Sequence, residues 1–245
     1  MTAPSSAETR SSPGRAGSRS AQLAAELGRR IVGRRYAPAA TLPPEPVLLA
    51  EFGVSRTVLR DAIKSLESKG LLEARQRRGT CVLPRQRWNL LDAEVLGWVA
   101  QTGADPQLLL RLTELRLIIE PGACALAARN GPPAGLPPIE AAWARMLAAV
   151  DDPDRFVEAD RDFHIALLTA AGNEYLAALC TAISAALTAS LQRTNPNAGS
   201  NRASLAAHER IVLALRQGDG LAAADASRQQ LAEALQRLQA GIAKL

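Results

Sequence analysis

Apolar residues recur at helical spacing over most of the chain, with one short exception. In residues 20–34, "SAQLAAELGRRIVGR", Leu23, Leu27 and Ile31 fall on one stripe among small and charged residues, which predicts an amphipathic helix. "YAPAATLPPEP" breaks that period with four prolines. A short helix is predicted over roughly 45–52, ended by Gly53, which can take the left-handed cap between two helices. Ser55 is a good N-cap for a third helix over roughly 56–69. Its inner face is Val58, Leu59, Ala62, Ile63 and Leu66, and Gly70 stops it. The exception follows in "LLEARQRRGTCVLPR", residues 71–85. Leu72 and Ala74, a charged tip at Gln76–Gly79, and Cys81–Leu83 predict a two-stranded hairpin. Three helices and a hairpin in this order make a winged helix-turn-helix, assigned to residues 19–86.

From Trp88 onward the pattern is helical throughout. Helices are predicted over roughly 89–102, 105–130, 134–149, 153–171, 173–193, 202–217 and 219–242. The breaks are Gly103, Gly131-Pro132-Pro133, Asp152-Pro153, Gly172, Asn195-Pro196 and Gly218. Residues 87–245 are therefore expected to form an all-α helical bundle of six or seven helices. Residues 1–18 lack an apolar period and are expected to be a disordered N-terminal tail. The fold class is mainly α.

Charge adds a function to this division. Residues 1–86 hold 15 Lys/Arg against 7 Asp/Glu, whereas residues 87–245 hold 14 against 17. A basic first third on a mildly acidic remainder assigns the polyanion contact to the first domain alone. Aromatics are 3% of the chain, so Leu and Ala must fill the cores. The three cysteines, Cys81, Cys124 and Cys180, lie far apart, which argues against a zinc knuckle or a disulfide framework and fits a cytoplasmic protein. No apolar run reaches membrane-spanning length, and the N-terminus has no secretory core segment, so no membrane partner is expected.

In a helix-turn-helix the second helix enters the major groove, and its first turns meet base edges and phosphates. Ser55, Arg56, Thr57 and Arg60 crowd into those turns. Arg56 or Arg60 can pair bidentately with a guanine edge, and Ser55 and Thr57 suit phosphates. Gln76, Arg77, Arg78 and Gly79 form a narrow basic wing tip, suited to the adjacent minor groove or backbone. The partner is thus double-stranded DNA, and a homodimer would read a palindromic operator.

The helix over 153–171 puts Phe156, Asp160, Phe163, His164 and Leu167 on one face. Asp160 and His164 are one turn apart, and a carboxylate on an apolar face is costly unless paired or bound to a cation. His208 joins Leu205, Val212 and Leu215 on the inner stripe of another helix. Carboxylate plus two imidazoles suits a divalent, zinc-like metal, with a metal-free Asp–His hydrogen bond as the alternative. Arg116 stands among Leu112, Leu115 and Ile119, one turn before Pro121. A buried guanidinium needs an anion, either a ligand carboxylate or a salt bridge to Glu120 or Asp160. Ser204, one turn before His208, and Arg237, on the flank of Gln230, are further effector candidates.

"LPPEPVLLAEFGVSRTVLRDAIKSLESKGLLEARQRRGTCV" resembles the GntR-type winged-helix regulators. It departs from their pattern at Ala39-Ala40, usually Pro-Gly, at Pro46, often Arg, and at Cys81, often Phe. "ELRLIIEPGACALAA", "EADRDFHIALLTAAGN" and "SLAAHERIVLALRQGD" resemble the helical effector domain (FCD type) of the FadR branch. "RQRWNLLDAEVLGWV" resembles the domain junction of its galactonate-type, sugar-acid repressors. The resemblance implies a homodimeric repressor, not an enzyme, released by a small carboxylate effector such as a galactonate-like sugar acid clamped by Arg116. It also implies an Asp and three His as metal ligands. Asp160, His164 and His208 match, but Gln230 stands where the third His is expected, which weakens the metal site. Two other readings compete: a metal-dependent hydrolase around the same three residues, and an architectural DNA-binding protein with an inert helical domain.

Overall fold

Leu27, Leu59 and Leu66 have no solvent exposure, and their burial sets how the N-terminal helices meet. Each such side chain removed from water contributes roughly 1.5–3 kcal/mol. In the computed structural model, which describes the backbone of residues 13–103, 105, 107–130 and 136–242, α1 (Pro13–Val32) packs against α3 (Arg56–Ser68) along this seam. The chain divides into two compact units, Met1–Asn89 and Leu90–Leu245.

Between the two long helices of the first unit lies α2 (Glu45–Phe52). It ends on Gly53, whose φ of 59° is left-handed and whose N–H donates to Leu49 O. Ser55 Oγ then accepts from Val58 N at 3.3 Å and starts α3. The end of α3 is a Schellman turn: Leu71 N donates to Leu66 O at 3.0 Å and Gly70 N to Glu67 O at 2.9 Å. Gly70 has a φ of +74°, and a Cβ there would lie 2.2 Å from Arg87 O, because the short 3-10 turn Arg85–Arg87 folds back against the helix end.

Strands β1 (Leu72–Arg75) and β2 (Gly79–Val82) pair antiparallel, with Leu72 opposite Val82 and Arg75 opposite Gly79, so Gln76, Arg77 and Arg78 form the tip. The sequence pattern did not reveal a third edge. Thr41 bridges to Cys81, Leu42 N donates to Thr80 O at 2.8 Å and Val82 N to Ala40 O at 2.9 Å. The proline-rich segment thus closes the hairpin on one side and buries Leu42.

The second unit comprises α4 (Ala93–Thr102), α5 (Leu108–Asn130), α6 (Leu136–Ala148), α7 (Pro153–Ala170), α8 (Glu174–Thr194), α9 (Ala198–Arg216) and α10 (Gly220–Ile242). Helix α10 runs along α5 and α9, and α7 is enclosed by α5, α6 and α8. Met146, Phe156, Phe163, Leu167 and Ile211 form the fully buried centre. No single helix is long and apolar enough to cross a membrane.

The segment expected as a tail, residues 1–18, overlaps helix α1 from Pro13. The rest of that tail, residues 1–12, lies outside the described residues, as does the Gly131–Pro133 break. Three expectations need correction. Helix α1 ends at Val32 instead of residue 34, where Arg34 is left-handed with a φ of 62°. Helix α4 starts at Ala93 because Asp92 Oδ1 accepts from Glu94 N and Val95 N. Helix α9 starts at Ala198, four residues earlier than the apolar stripe indicated, because Asn197 and Ser200 form a reciprocal capping box.

Replacing Gly70 by Ala should destabilise the first unit by at least about 1–3 kcal/mol from the backbone conformation alone. The contact with Arg87 O adds to that cost. Urea unfolding of the variant should show a lower midpoint, whereas Gly53→Ala, with open space around it, should cost less.

Candidate functional site

The buried face of α7 places Asp160 and His164 one turn apart with no solvent exposure, and α9 brings His208, equally buried, against them. Asp160 Oδ1 lies 3.2 Å from His164 Nε2 and 3.1 Å from His208 Nε2, and the two imidazole nitrogens are 3.3 Å apart. These three groups are the ones among the described residues whose ligand atoms converge as a metal would require. His208 Nδ1 donates to Ser204 O at 2.7 Å, which leaves its Nε2 lone pair facing the other two. Asp160 Oδ1 accepts no hydrogen bond of good geometry despite its burial. An unsatisfied carboxylate oxygen facing imidazole lone pairs is a donor set that fits a divalent cation.

The remaining oxygen of Asp160 is fixed: Asn195 Nδ2, at the C-terminal end of α8, donates to Oδ2 at 2.7 Å. Burial pushes the Asp160 carboxyl upward, but the adjacent His208 and His164 hold it well below the ordinary carboxylate range.

Arg116 is 1% exposed in α5 and already has an anion. Its Nε donates to Glu120 Oε1 at 2.6 Å, and its Nη2 donates to His164 Nε2 at 2.8 Å. Glu120 Oε2 lies 2.8 Å from His164 Nδ1, off the line of a good hydrogen bond. Burial raises the Glu120 carboxyl, yet Arg116 and His164 bring it down to about 2. Burial lowers His164, but the charge of Glu120 and the contact with Asp160 leave it raised above the ordinary histidine value, with Arg116 opposing. The salt bridge to Glu120, one of the two partners open to Arg116 in the sequence, is therefore the one formed. Asn195 is the member of the cluster that the sequence reading missed, and no spacing along the chain signals it; Glu120, one turn after Arg116, was already open as its salt-bridge partner.

Ser204 supports His208 through its carbonyl, while its hydroxyl is 3.5 Å from the ring. Gln230 is buried in α10 with Oε1 unpartnered. Arg237 Nε is unpartnered, and the side chain lines a cavity of about 560 Å³ with Val99, Leu108, Gln192, Arg193 and Leu238. Burial lowers the Arg237 guanidinium, against the charges of Glu233 and Asp160. Cys124 and Cys180 are buried thiols pushed up to about 12 and about 11, and all three cysteines are free.

In the first unit, Ser55, Arg56, Thr57 and Arg60 are exposed along the start of α3, and Gln76, Arg77, Arg78 and Gly79 are exposed at the hairpin tip. Ser55 also spends its hydroxyl oxygen on the helix cap. Glu45, at the start of α2, lies 3.7 Å from Arg56 Nε and 3.8 Å from Arg60 Nη2. Such exposed pairs contribute little stability, but they bias where the two guanidinium groups point.

Two family models match the chain: "Bacterial regulatory proteins, gntR family" over residues 19–82 and "FCD domain" over residues 111–233. The chain belongs to the GntR family. Its FCD domain makes it a FadR-type member, a DNA-binding transcriptional regulator and not an enzyme. It is 37% identical to the galactonate operon transcriptional repressor of Escherichia coli over 213 residues, 86% of this chain and 93% of that protein. It is 30% identical to the HTH-type transcriptional regulator LutR of Bacillus subtilis, covering 75% of this chain and 84% of that one. Among solved structures it is similar to a Streptococcus agalactiae GntR protein, with a TM-score of 0.50, 28% identity, and 89% and 99% of the two chains covered. The fold is also that of Lar from Listeria monocytogenes, with a TM-score of 0.67 at 20% identity over 90% and 96% of the chains.

Removing one partner of a buried ion pair strands the other charge. Glu120→Ala should therefore cost about 3–5 kcal/mol, whereas replacing Arg116 and Glu120 together by Met should cost far less. Urea unfolding of the parent, both single variants and the double variant checks this.

Proposed function

We propose that this GntR regulator is a cytoplasmic homodimeric repressor that binds a palindromic operator and is released by a small sugar acid of the galactonate type. The observation that carries the reading is the convergence of Asp160 Oδ1, His164 Nε2 and His208 Nε2 beside a core of apolar side chains. A hydroxyl-rich acid needs polar groups to replace its water, and the second unit concentrates them here. The name of the Escherichia coli relative supports a galactonate-like ligand. An inert helical domain would gain nothing from a buried polar cluster with unsatisfied atoms.

Asp160, His164 and His208 would hold a divalent, zinc-like cation, which supplies positive charge to ligand carboxylate and hydroxyl oxygens. Gln230 offers a neutral amide oxygen where an imidazole would bind a transition metal more strongly, so the affinity is modest. Arg116 clamps the effector carboxylate, with Ser204 and Arg237 contributing further donors. On the DNA side, Arg56 and Arg60 read base edges, Ser55 and Thr57 meet phosphates, and Gln76, Arg77, Arg78 and Gly79 follow the groove from the wing. Effector binding must favour the conformation with low DNA affinity, since equal affinity for both would shift nothing.

Arg60→Ala should lose about 1–3 kcal/mol of operator binding and relax specificity at one base pair, read by fluorescence anisotropy across a salt series on operator and scrambled duplexes. Affinity equal to the parent on every duplex would remove Arg60 from the reading. Calorimetry with D-galactonate on chelator-stripped and zinc-loaded protein tests the sensor. Binding that depends on zinc, is lost in Asp160→Asn and is strengthened by Gln230→His is the expected outcome. No heat with any sugar acid in either form would sink the effector assignment.

A further inference from the structure

One atom of the cluster faces two claims. His164 Nε2 accepts a hydrogen bond from Arg116 Nη2 at 2.8 Å, and the same nitrogen is one of the three atoms that converge on the metal position, 3.2 Å from Asp160 Oδ1 and 3.3 Å from His208 Nε2. A neutral imidazole nitrogen has a single in-plane lone pair. It can accept the guanidinium N–H or bind a cation, but not both. The other nitrogen offers no escape, because His164 Nδ1 faces Glu120 Oε2 at 2.8 Å.

We propose that Arg116 and the divalent cation compete for His164 Nε2, so that metal binding releases the Nη2 end of Arg116 to take the effector's carboxylate. The inference rests on the metal and sugar-acid reading above and adds the coupling between the two ligands. Arg116 does not leave the site when it gives up His164, because Glu120 Oε1 still holds its Nε at 2.6 Å. The guanidinium therefore pivots about an anchored end. Charge points the same way. With both imidazoles neutral, as acceptance from Arg116 and metal ligation require of His164, two buried carboxylates against one guanidinium leave an excess negative charge, which repels an anionic effector. A divalent cation reverses that sign, and the freed N–H group then faces an anion it can bind. Arg116 thus acts in the metal-free state as a plug on the ligand set, and in the loaded state as the clamp. Linkage requires the two effects to be reciprocal: zinc tightens the carboxylate by the same factor as the carboxylate tightens zinc.

The test uses full-length protein stripped with chelator, zinc ion as the metal and D-galactonate as the carboxylate probe, followed by calorimetry. Arg116→Met combined with Glu120→Gln removes one charge of each sign, so the net charge of the cluster stays the same while the competitor is gone. Zinc should bind this variant about tenfold more tightly than it binds the parent, the worth of one hydrogen bond to a charged group. The parent should show zinc and galactonate each tightening the other, and the variant should lose most of that coupling. Arg116→Lys keeps the charge and protects against a folding failure; an ammonium lacks the rigid fork by which Nε and Nη2 reach Glu120 and His164 separately, so zinc should again bind more tightly than in the parent. Zinc affinity unchanged or weaker in both variants, with circular dichroism and unfolding like the parent's, would overturn the competition while leaving the metal site standing. A parent that binds no zinc at all would overturn the metal reading itself, and this inference with it.

Discussion

A carboxylate without access to water sits in the C-terminal unit, and its neutralisation organises the helices around it. Even after relaxation, burying an ion costs several kcal/mol. Asp160 is therefore approached from three helices: His164 from its own α7, His208 from α9 and Asn195 from the end of α8. Glu120 repeats the pattern on α5 with Arg116 and His164. Phe163, itself fully buried, packs edge-on against both imidazoles, with ring centroids 5.8 Å and 4.7 Å away. The dry surroundings strengthen every satisfied contact and make every unsatisfied atom expensive. Asp160 Oδ1 and Gln230 Oε1 are such atoms, so a ligand that reached them would gain the most there.

The DNA-binding unit uses charge in the opposite way. Its basic side chains at the start of α3 and at the hairpin tip are exposed and solvated, and each such charge is individually weak. Placement depends on local backbone devices. The Gly53 cap and the Ser55 N-cap set the angle between α2 and α3, and the Schellman turn at Gly70 directs the chain into the wing. Glu45 adds an acidic tether between Arg56 and Arg60.

Most of the fold was legible from the chain. The buried faces of α1, α3 and α7 are the stripes that helical spacing marks, and the breaks at Gly103, Asp152-Pro153, Gly172, Asn195-Pro196 and Gly218 coincide with helix ends. Local punctuation misplaced some starts in both directions: the Asp92 cap begins α4 after the predicted start, whereas the Asn197 capping box begins α9 before its apolar stripe. The inward direction of Asp160, His164, His208 and Arg116 was legible for the same reason, since each interrupts an apolar stripe.

Periodicity, caps and charge thus determined the two units, their helices and which polar residues turn inward, because these are properties of neighbours along the chain. Which inward residues meet was decided only by the tertiary structure. Glu120 and His164, Asn195 and Asp160, and Thr41 and Cys81 are distant in sequence, and no local spacing encodes their approach. Their pairing follows from how packed helices and strands satisfy buried polar groups, a condition that exists only once the core has excluded water.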